Sequence, residues 1–356
     1  MPASATTALT TEPLPQLDDA WRTWPRGHRA AALRAAAAQV RVRLLDGPAV
    51  TAVRTVDLAI VGLPATHALG AGVRFGSGVR SRARAVPVVH RMTVARFTDL
   101  DDQDRLLVWD PRVPETPATD GRIPEALPGE RDSVGTALSL LGIGLDDVDV
   151  CGFSHLHDQD PRLVIGTTLP VGPDRAARPP LFPNAEVVVS RQETDTLRAP
   201  HVLQRERYTG ALHGLRDDRL REPEGSVLLG RGVALLATPG HTQGHRSLAL
   251  RTEQGVWVLS ACGHIADAWH PHLSRMSGVR RSVEAGGQEV LVGSGAEDPL
   301  AQHDAMVLER AVADAHHADP RWRCVLPVAE VLPSRRTWPA RPTFVHGGLH
   351  VGVLHR

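Results

Sequence analysis

Short apolar runs bounded by Gly, Pro and Asp dominate the chain from residue 51 onward, and they predict strands. Three of them, TVDLAIVGL, VPVVHRMTVARFT and RLLVWD, follow one another with only turn residues between them, so we expect a meander. Earlier, apolar residues recur among arginines over residues 17–45, a spacing that predicts an amphipathic helix ending before Gly47. We therefore divide the chain into an amino-terminal extension, residues 1–50, and a main domain, residues 51–356.

Strands and helices are mixed in the second half of the chain. The stretch DSVGTALSLLGIG predicts a helix that stops at Gly142, and residues 148–154 predict a strand. Further strands are expected at AEVVVS, VALLAT, GVWVLS and RCVLPVAEV, with helices at RQETDTL and over residues 302–317. Because the elements do not alternate strictly as βαβ units, the pattern favours two sheets flanked by helices.

The amino-acid composition indicates which class of protein this is and which partners it can bind. The chain has 356 residues, 42% of them hydrophobic, which is typical of globular proteins. Its 40 Lys plus Arg, all of them arginine, balance 40 Asp plus Glu, so no net field attracts nucleic acid or an acidic membrane. The partner expected is a small-molecule substrate. The amino-terminal helix is also a surface through which a homodimer could form.

Location is predicted from the cysteines and from apolar segments. The three cysteines, Cys151, Cys262 and Cys324, are widely spaced and form no CxxC pair, which fits a reducing compartment. No apolar run is long enough to cross a membrane, and the first 15 residues lack the basic start and apolar centre of a signal peptide. We therefore expect a cytoplasmic protein.

Two motifs among the 18 histidines have the spacing of metal ligands. His155 and His157 directly follow an apolar strand, and in an extended backbone residues i and i+2 point to the same side. His241 stands in TPGHTQGH, a loop after another apolar strand. Three imidazoles from two strand ends would form a metal site with an open position. The alternative is three unrelated surface or capping histidines.

The order of these motifs resembles the metallo-β-lactamase superfamily. The resemblance covers residues from about 51 to 345 and lies in an apolar strand, SHLH, a strand with a nearby helix, TPGHTQGH, and a strand ending in a small-residue turn. It implies an αββα sandwich of two mixed β-sheets flanked by helices, with metal held at one edge. It also implies that His155, His157 and His241 form the first metal site.

The chain departs from the superfamily's HxHxDH signature in the residues that follow the HxH pair. Gln159 occupies the place of the Asp that ligates the second metal and positions the nucleophilic water, and Asp160 occupies the place of the fourth His. A carboxamide cannot accept a proton at neutral pH, so Gln159 cannot serve as general base. Asp158 and Asp160 are then the candidate proton acceptors, although each is also a natural helix cap.

The carboxyl-terminal half departs from the superfamily as well. Cys262 falls at the place of the bridging Asp, with His264 two residues later, and either could ligate a metal. Cys262 could equally be a small buried hydrophobe. Glu330 stands near the place of the last family His, where a cap or salt bridge is an equal alternative. The second metal site would then be built from Asp160, Glu330 and either Cys262 or His264, and its carboxylates would favour manganese or iron beside zinc.

These residues allow three functions. The leading hypothesis is a hydrolase with one or two divalent ions, zinc expected first, that cleaves a small ester, lactone, thioester or amide. Tyr208, the only tyrosine, is a candidate oxyanion donor in it, or a packing residue. The second hypothesis is a dinuclear iron or manganese oxidoreductase, suggested by Gln159 and the new carboxylates. The third is a binding protein with a degenerate metal site.

Overall fold

The computed structural model describes residues 8–69, 85–111, 134–158, 161–170, 177–208, 215–293, 295–333 and 341–354. Their strands form two mixed sheets that pack face to face, with helices on the outer sides. The αββα sandwich expected from the sequence is therefore confirmed.

The strands are β1 Glu12–Pro13, β2 Ala52–Pro64, β3 Ala85–Thr98, β4 Asp104–Trp109, β5 Val150–Gly152, β6 Glu186–Val188, β7 Leu220–Arg221, β8 Val227–Gly230, β9 Val233–Ala237, β10 Arg246–Thr252, β11 Gly255–Ser260, β12 Val325–Pro327, β13 Ala329–Val331 and β14 His350–Val351. The α-helices are α1 Pro15–Trp21, α2 Arg29–Asp46, α3 Ala65–Leu69, α4 Val134–Leu140, α5 Arg162–Ile165, α6 Arg191–Arg198, α7 Ser277–Gly286 and α8 Pro299–Val312.

The first sheet has the order β1-β8-β9-β10-β11-β12, and only its β11–β12 pair is parallel. The second sheet has the order β14-β2-β3-β4-β5-β6-β7, with β13 paired to β3. Strands β2, β3 and β4 form the antiparallel meander that the apolar runs predict, whereas β4 to β7 are parallel.

Both faces of the second sheet are buried, as the alternating side chains of β4 illustrate. Leu107 and Trp109 face the core between the two sheets, while Leu106 and Val108 face the outer core under helix α4. Successive strand residues point to opposite faces, so an unbroken apolar run such as LLVW fits a strand that is covered on both sides.

The amino-terminal segment contributes to the first sheet and its helical cover. One helix was predicted over residues 17–45, but two form, α1 and α2, and Pro25 lies between them. Proline lacks a backbone N–H and cannot continue a helix's hydrogen bonds. Strand β1 pairs with β8, and α2 packs against α8 on the outside of the sheet.

The predicted strand RCVLPVAEV is also two strands, one in each sheet. Strand β12 continues the first sheet beside β11, and β13 joins the second sheet beside β3. Val328 links the sheets, since its N–H donates to Ser260 and its carbonyl accepts from the Arg91 N–H. Because of this change of sheet, Glu330 on β13 lies beside β3 of the second sheet and not beside β11 of the first.

Within the described residues, every helix is too short or too polar to cross a bilayer.

Candidate metal centre

His155 and His157 lie just beyond the carboxyl end of β5. Leu156 between them is buried in the outer core, so the two imidazoles lie on the opposite side of the extended backbone. Their ring centroids are 4.3 Å apart. The strand-end geometry expected from the HxH spacing is therefore present.

His241 comes from the loop that joins β9 to β10, and two glycines allow this loop to pack closely. A Cβ at Gly240, whose φ is +132°, would lie 2.1 Å from the backbone nitrogen of Gln302 on α8. A Cβ at Gly244 would lie 2.4 Å from the Ser190 hydroxyl oxygen. Both contacts are closer than real Cβ atoms allow, so the TPGHTQGH sequence needs glycine where it meets α8 and α6.

The three histidines converge into one buried cluster. The ring centroid of His241 lies 4.7 Å from that of His155 and 4.7 Å from that of His157. One ring nitrogen from each of the three histidines lies within 4.8 Å of the other two. Burial lowers the pKa of His241 well below its usual value, and the neighbouring His157 and His245 add to the effect. A neutral imidazole has a free lone pair, so this cluster fits a divalent cation with an open coordination position.

A hydrogen-bonded relay fixes the ring of His155. Ser154 Oγ lies 2.9 Å from Asp110 Oδ1 and 2.8 Å from His155 Nδ1. The hydroxyl has one proton, which it donates to the carboxylate, so it accepts from Nδ1–H of His155. This leaves Nε2 of His155 unprotonated and available to a metal.

Glu193 on α6 joins the two ligand loops. Its buried carboxylate accepts from the Leu156 N–H at 2.8 Å, from the Thr242 hydroxyl at 2.5 Å and from the Gly244 N–H at 3.1 Å. Leu156 separates the first two histidines, and Thr242 follows the third. Burial raises the pKa of Glu193, while these donors lower it. One side chain thus sets the spacing of all three imidazoles.

Cys262 follows β11 but faces a polar network beneath the cluster. Its Sγ lies 3.7 Å from Nδ1 of His245, and it also interacts with Glu309. Glu309 is fully buried and accepts from the hydroxyls of Ser247 and Ser260 and from the Trp269 indole N–H. Burial raises the pKa of the Cys262 thiol well above its usual value. These contacts hold Cys262 as a buried thiol, and its role as a ligand stays a prediction.

His264 borders a cavity beside the cluster. The cavity is also lined by His241, Cys262, Gln302 and His67, the last of these on α3. The His264 Nδ1 lies 2.9 Å from the Ala329 carbonyl, and its ring centroid is 5.8 Å from that of His67. The structure therefore places His264 at the edge of a space that opens onto His241.

Glu330 is not part of the three-histidine cluster. It forms a buried ion pair with Arg91 at 2.5 Å and accepts from the His346 N–H at 3.2 Å. Its register on β13, opposite Val89 of β3, directs it into the second sheet. These contacts match the salt-bridge alternative, because the chain changes sheet at Val328, just before the glutamate.

The candidate proton acceptors and Tyr208 have different surroundings. The half-exposed Asp158 carboxylate lies 3.0 Å from Nδ1 of His157. The Tyr208 hydroxyl lies 3.4 Å from Glu193, and burial, with Glu193 nearby, raises its pKa, so it stays protonated. Gln159 and Asp160 lie outside the described residues, so the roles given to Asp160 stay predictions.

Sequence reasoning missed several residues of this region, among them the Asp110 and Ser154 of the relay, Glu193, Arg207 and His67. Glu193 stands three residues after the helix cap Ser190, and this S-x-x-E spacing indicates a capping box. Its carboxylate instead reaches the ligand loops. Arg207 lies 2.7 Å from Nε2 of His157, and neither it nor His67 has a local pattern that separates it from the other arginines and histidines.

Comparison with known proteins gives the fold and little more. No model of a protein family matches the chain, and no curated protein sequence matches it. Among solved structures, a probable metal-dependent hydrolase from Staphylococcus aureus has a TM-score of 0.50 at 12% identity, with 72% of this chain and 83% of that chain covered.

Two other structures are similar at lower scores. AidC, a dizinc quorum-quenching lactonase, has a TM-score of 0.47 at 11% identity, covering 85% of this chain and 95% of its own. AbOPH, a hydrolase in the beta lactamase superfamily, has a TM-score of 0.47 at 14% identity, covering 85% and 94%.

Proposed function

The chain has the metallo-β-lactamase fold, and from this premise we propose that it is a metal-dependent hydrolase of a small ester, lactone, thioester or amide. The observation that carries the proposal is the buried cluster of His155, His157 and His241 at the strand ends. When bound there, a divalent cation supplies a water of lowered pKa and a Lewis acid for a carbonyl oxygen. Zinc is the ion we expect first, and iron and manganese are the alternatives.

Several residues of the chain would prepare this site. Ser154 and Asp110 hold His155 with Nε2 unprotonated, and Glu193 fixes the distance between the two ligand loops. Asp158 lies 3.0 Å from Nδ1 of His157 and can accept a proton from it, and Arg207, whose Nη2 lies 2.7 Å from Nε2, has to move before that nitrogen can bind an ion. The loops thus bring three imidazoles together, and imidazole nitrogens are ligands that zinc prefers.

We choose the proton acceptor and the ligand of a second ion by the chemical properties of the candidate side chains. Asp160 is the carboxylate that we propose to orient or deprotonate the water, because Gln159 lacks a basic oxygen. His264 and Cys262 both border the cavity beside His241, and we favour His264 for a second ion because the Cys262 thiol interacts with Glu309 and burial raises its pKa.

Hydrolysis by metal-restored protein tests the proposal. The chain is stripped with a chelator, reloaded with zinc, iron or manganese, and assayed on nitrophenyl esters, lactones, thioesters and amides. We expect turnover with at least one metal and a loss of about 100-fold or more in His241→Ala, since that change removes a ligand. His272→Ala, at an exposed histidine, is the matched control. Equal rates in wild type and His241→Ala would contradict the proposal.

A further inference from the structure

Gln302 on α8 lines the cavity that also borders His241. Its side chain is buried, and His67 and His264 lie in the same cavity wall. A Cβ at Gly240 would lie 2.1 Å from the Gln302 backbone nitrogen, so the residue before His241 packs directly on Gln302. The position of Gln302 is therefore fixed relative to the third histidine of the cluster.

The Cys262 carbonyl orients the side-chain amide of Gln302. A carbonyl oxygen accepts hydrogen bonds and cannot donate them, so the amide atom that contacts it is the donor, Nε2. A Cβ at Gly293 would lie 3.7 Å from this Nε2 and 3.9 Å from the Cys262 carbonyl oxygen. Gly293 and Cys262 both line the cavity, so the amide stands at the cavity wall.

The other end of this amide, Oε1, is a buried acceptor whose hydrogen bond is not made. Throughout the part of the chain that the structure describes, no N–H or O–H group donates to it. Buried side-chain oxygens nearly always have a donor, and leaving one without a donor is destabilising. Gln302 is thus prepared to accept a hydrogen bond from a group that a ligand brings.

The cavity admits a small and uncharged group. Its volume is about 20 Å³, which holds a group of the size of water. Its described lining residues include no carboxylate and no guanidinium, so a charged group would lose its hydration there without gaining an opposite charge. Much of the wall is small or apolar: Ala68, Leu69, Ala261, Ile265, Ala268 and Leu291. A hydroxyl group is the donor that fits these limits.

We propose that Gln302 is a specificity-determining residue whose Oε1 accepts a hydrogen bond from a hydroxyl group of the substrate, so that the preferred substrate is a hydroxy-substituted ester, lactone, thioester or amide. This proposal rests on the proposed hydrolase function. His241 belongs both to the metal-binding cluster and to the cavity wall. The hydroxyl group is therefore on a carbon close to the carbonyl that is attacked.

A series of three matched substrates tests this role. Each series consists of an acyl ester or thioester with a hydroxyl group, its methyl ether and the unsubstituted acyl compound, with the substituent on carbon 2, 3 or 4 of the acyl chain. For at least one position, we expect wild type to prefer the hydroxyl compound about 10-fold or more in kcat/KM, because the other two leave Oε1 without a donor. Equal or higher kcat/KM for the methyl ether or the unsubstituted compound at every position would overturn the proposal.

Two variants act on the cavity from different walls. Gln302→Met removes the acceptor and keeps the length of the side chain. Gly293→Ala keeps Gln302 and adds a methyl group to the cavity, at a contact distance that needs no shift of its neighbours. Both should lose the preference for the hydroxyl compound and change the kcat/KM of the unsubstituted compound by less than about 3-fold.

The matched controls are Gln39→Met, at an exposed glutamine of α2, and Gly27→Ala, where an added Cβ would contact nothing within 4 Å. Both should keep the preference of wild type. A preference that persists in Gln302→Met, or equal losses on all three substrates in both cavity variants, would contradict the role of Gln302.

Calorimetry measures the same interaction without catalysis. The free hydroxy acid and its methyl ether are titrated into zinc-loaded wild type, Gln302→Met, Gly293→Ala and the two controls. Tighter binding of the hydroxy acid, lost in the two cavity variants and kept in the controls, would support the proposal even if no substrate is hydrolysed. Equal binding of the two acids to wild type, or no binding of either, would overturn it.

Discussion

Single side chains next to the histidines control how well those histidines can bind an ion. His155 is linked to Asp110 through the Ser154 hydroxyl. The orientation of the imidazole and the identity of its protonated nitrogen both depend on that hydroxyl. A serine with no place in the HxH motif thus sets the chemistry of the first histidine.

Removing this hydroxyl should weaken metal binding without removing a ligand. We expect Ser154→Ala to lower the affinity for zinc by about 10-fold, the lower range for groups that orient a metal ligand. Competition with a chromophoric chelator measures the dissociation constant. Ser139→Ala, at an exposed serine of α4, is the control. An unchanged affinity in Ser154→Ala would show that Nδ1 of His155 needs no acceptor.

Helix α6 acts on the site at the scale of elements, because its Glu193 ties together loops that follow strands of different sheets. Glu193→Gln should lose acceptor capacity toward Leu156, Thr242 and Gly244 and leave buried donors unsatisfied. We expect the free energy of unfolding to fall by about 1–3 kcal/mol. Urea denaturation checks this value, and zinc affinity should fall with it.

The matched control is Gln192→Ala, at an exposed position of the same helix. A Glu193→Gln protein with normal zinc affinity and lower stability would mean that the loops keep their spacing without the carboxylate.

The change of sheet between β12 and β13 separates a structural role of Glu330 from a ligand role. Glu330→Gln should remove the buried carboxylate that pairs with Arg91, leaving it the exposed carboxylate of Asp57, and lower the free energy of unfolding by about 3 kcal/mol. The metal content should stay the same, because the Glu330 carboxylate is held by Arg91 and by the His346 N–H. Glu253→Gln, at an exposed glutamate, controls for the loss of one charge. Loss of metal from Glu330→Gln would restore the ligand role.

At the scale of the whole molecule, we expect stability to depend on pH through His316, which lies in a cluster of aromatic and histidine rings. His316 packs against Trp257, Phe344, His317 and His346, and its Nδ1 accepts from the Ala318 N–H at 3.2 Å. Burial lowers its pKa to about 4, and the neighbouring histidines add to the effect.

The sign of the effect follows from the two states. The unfolded state has the ordinary pKa of 6.5 and the folded state about 4, so the unfolded chain binds more protons between these values. Stability from this group is complete above pH 6.5 and is lost as the pH falls toward 4. The urea midpoint should drop over this range, and less so in His316→Gln than in the exposed control His272→Gln. Equal pH dependence in both variants would contradict this assignment.

Much of the fold could be predicted because the patterns that specify its strands and turns lie within short stretches of sequence. Apolar runs and turn residues define the meander, and the HxH spacing places two imidazoles on one side of a strand end. The change of sheet at Val328 could not be predicted from the apolar runs, because they do not show which sheet a strand joins. The break of the helix at Pro25 could not be predicted from the apolar runs either. Glu193 and Arg207 reach the site only through tertiary contacts, so no spacing in the chain predicts them.

The central claim is that His155, His157 and His241 hold a divalent cation, and metal analysis of the purified protein tests it most directly. The measurement is metal content per chain by elemental analysis, after loading and removal of excess ion, for wild type, His241→Ala and His272→Ala. We predict at least one equivalent in wild type and in His272→Ala, and loss of at least one equivalent in His241→Ala. Substoichiometric metal in wild type, or the same content in His241→Ala, would contradict the claim.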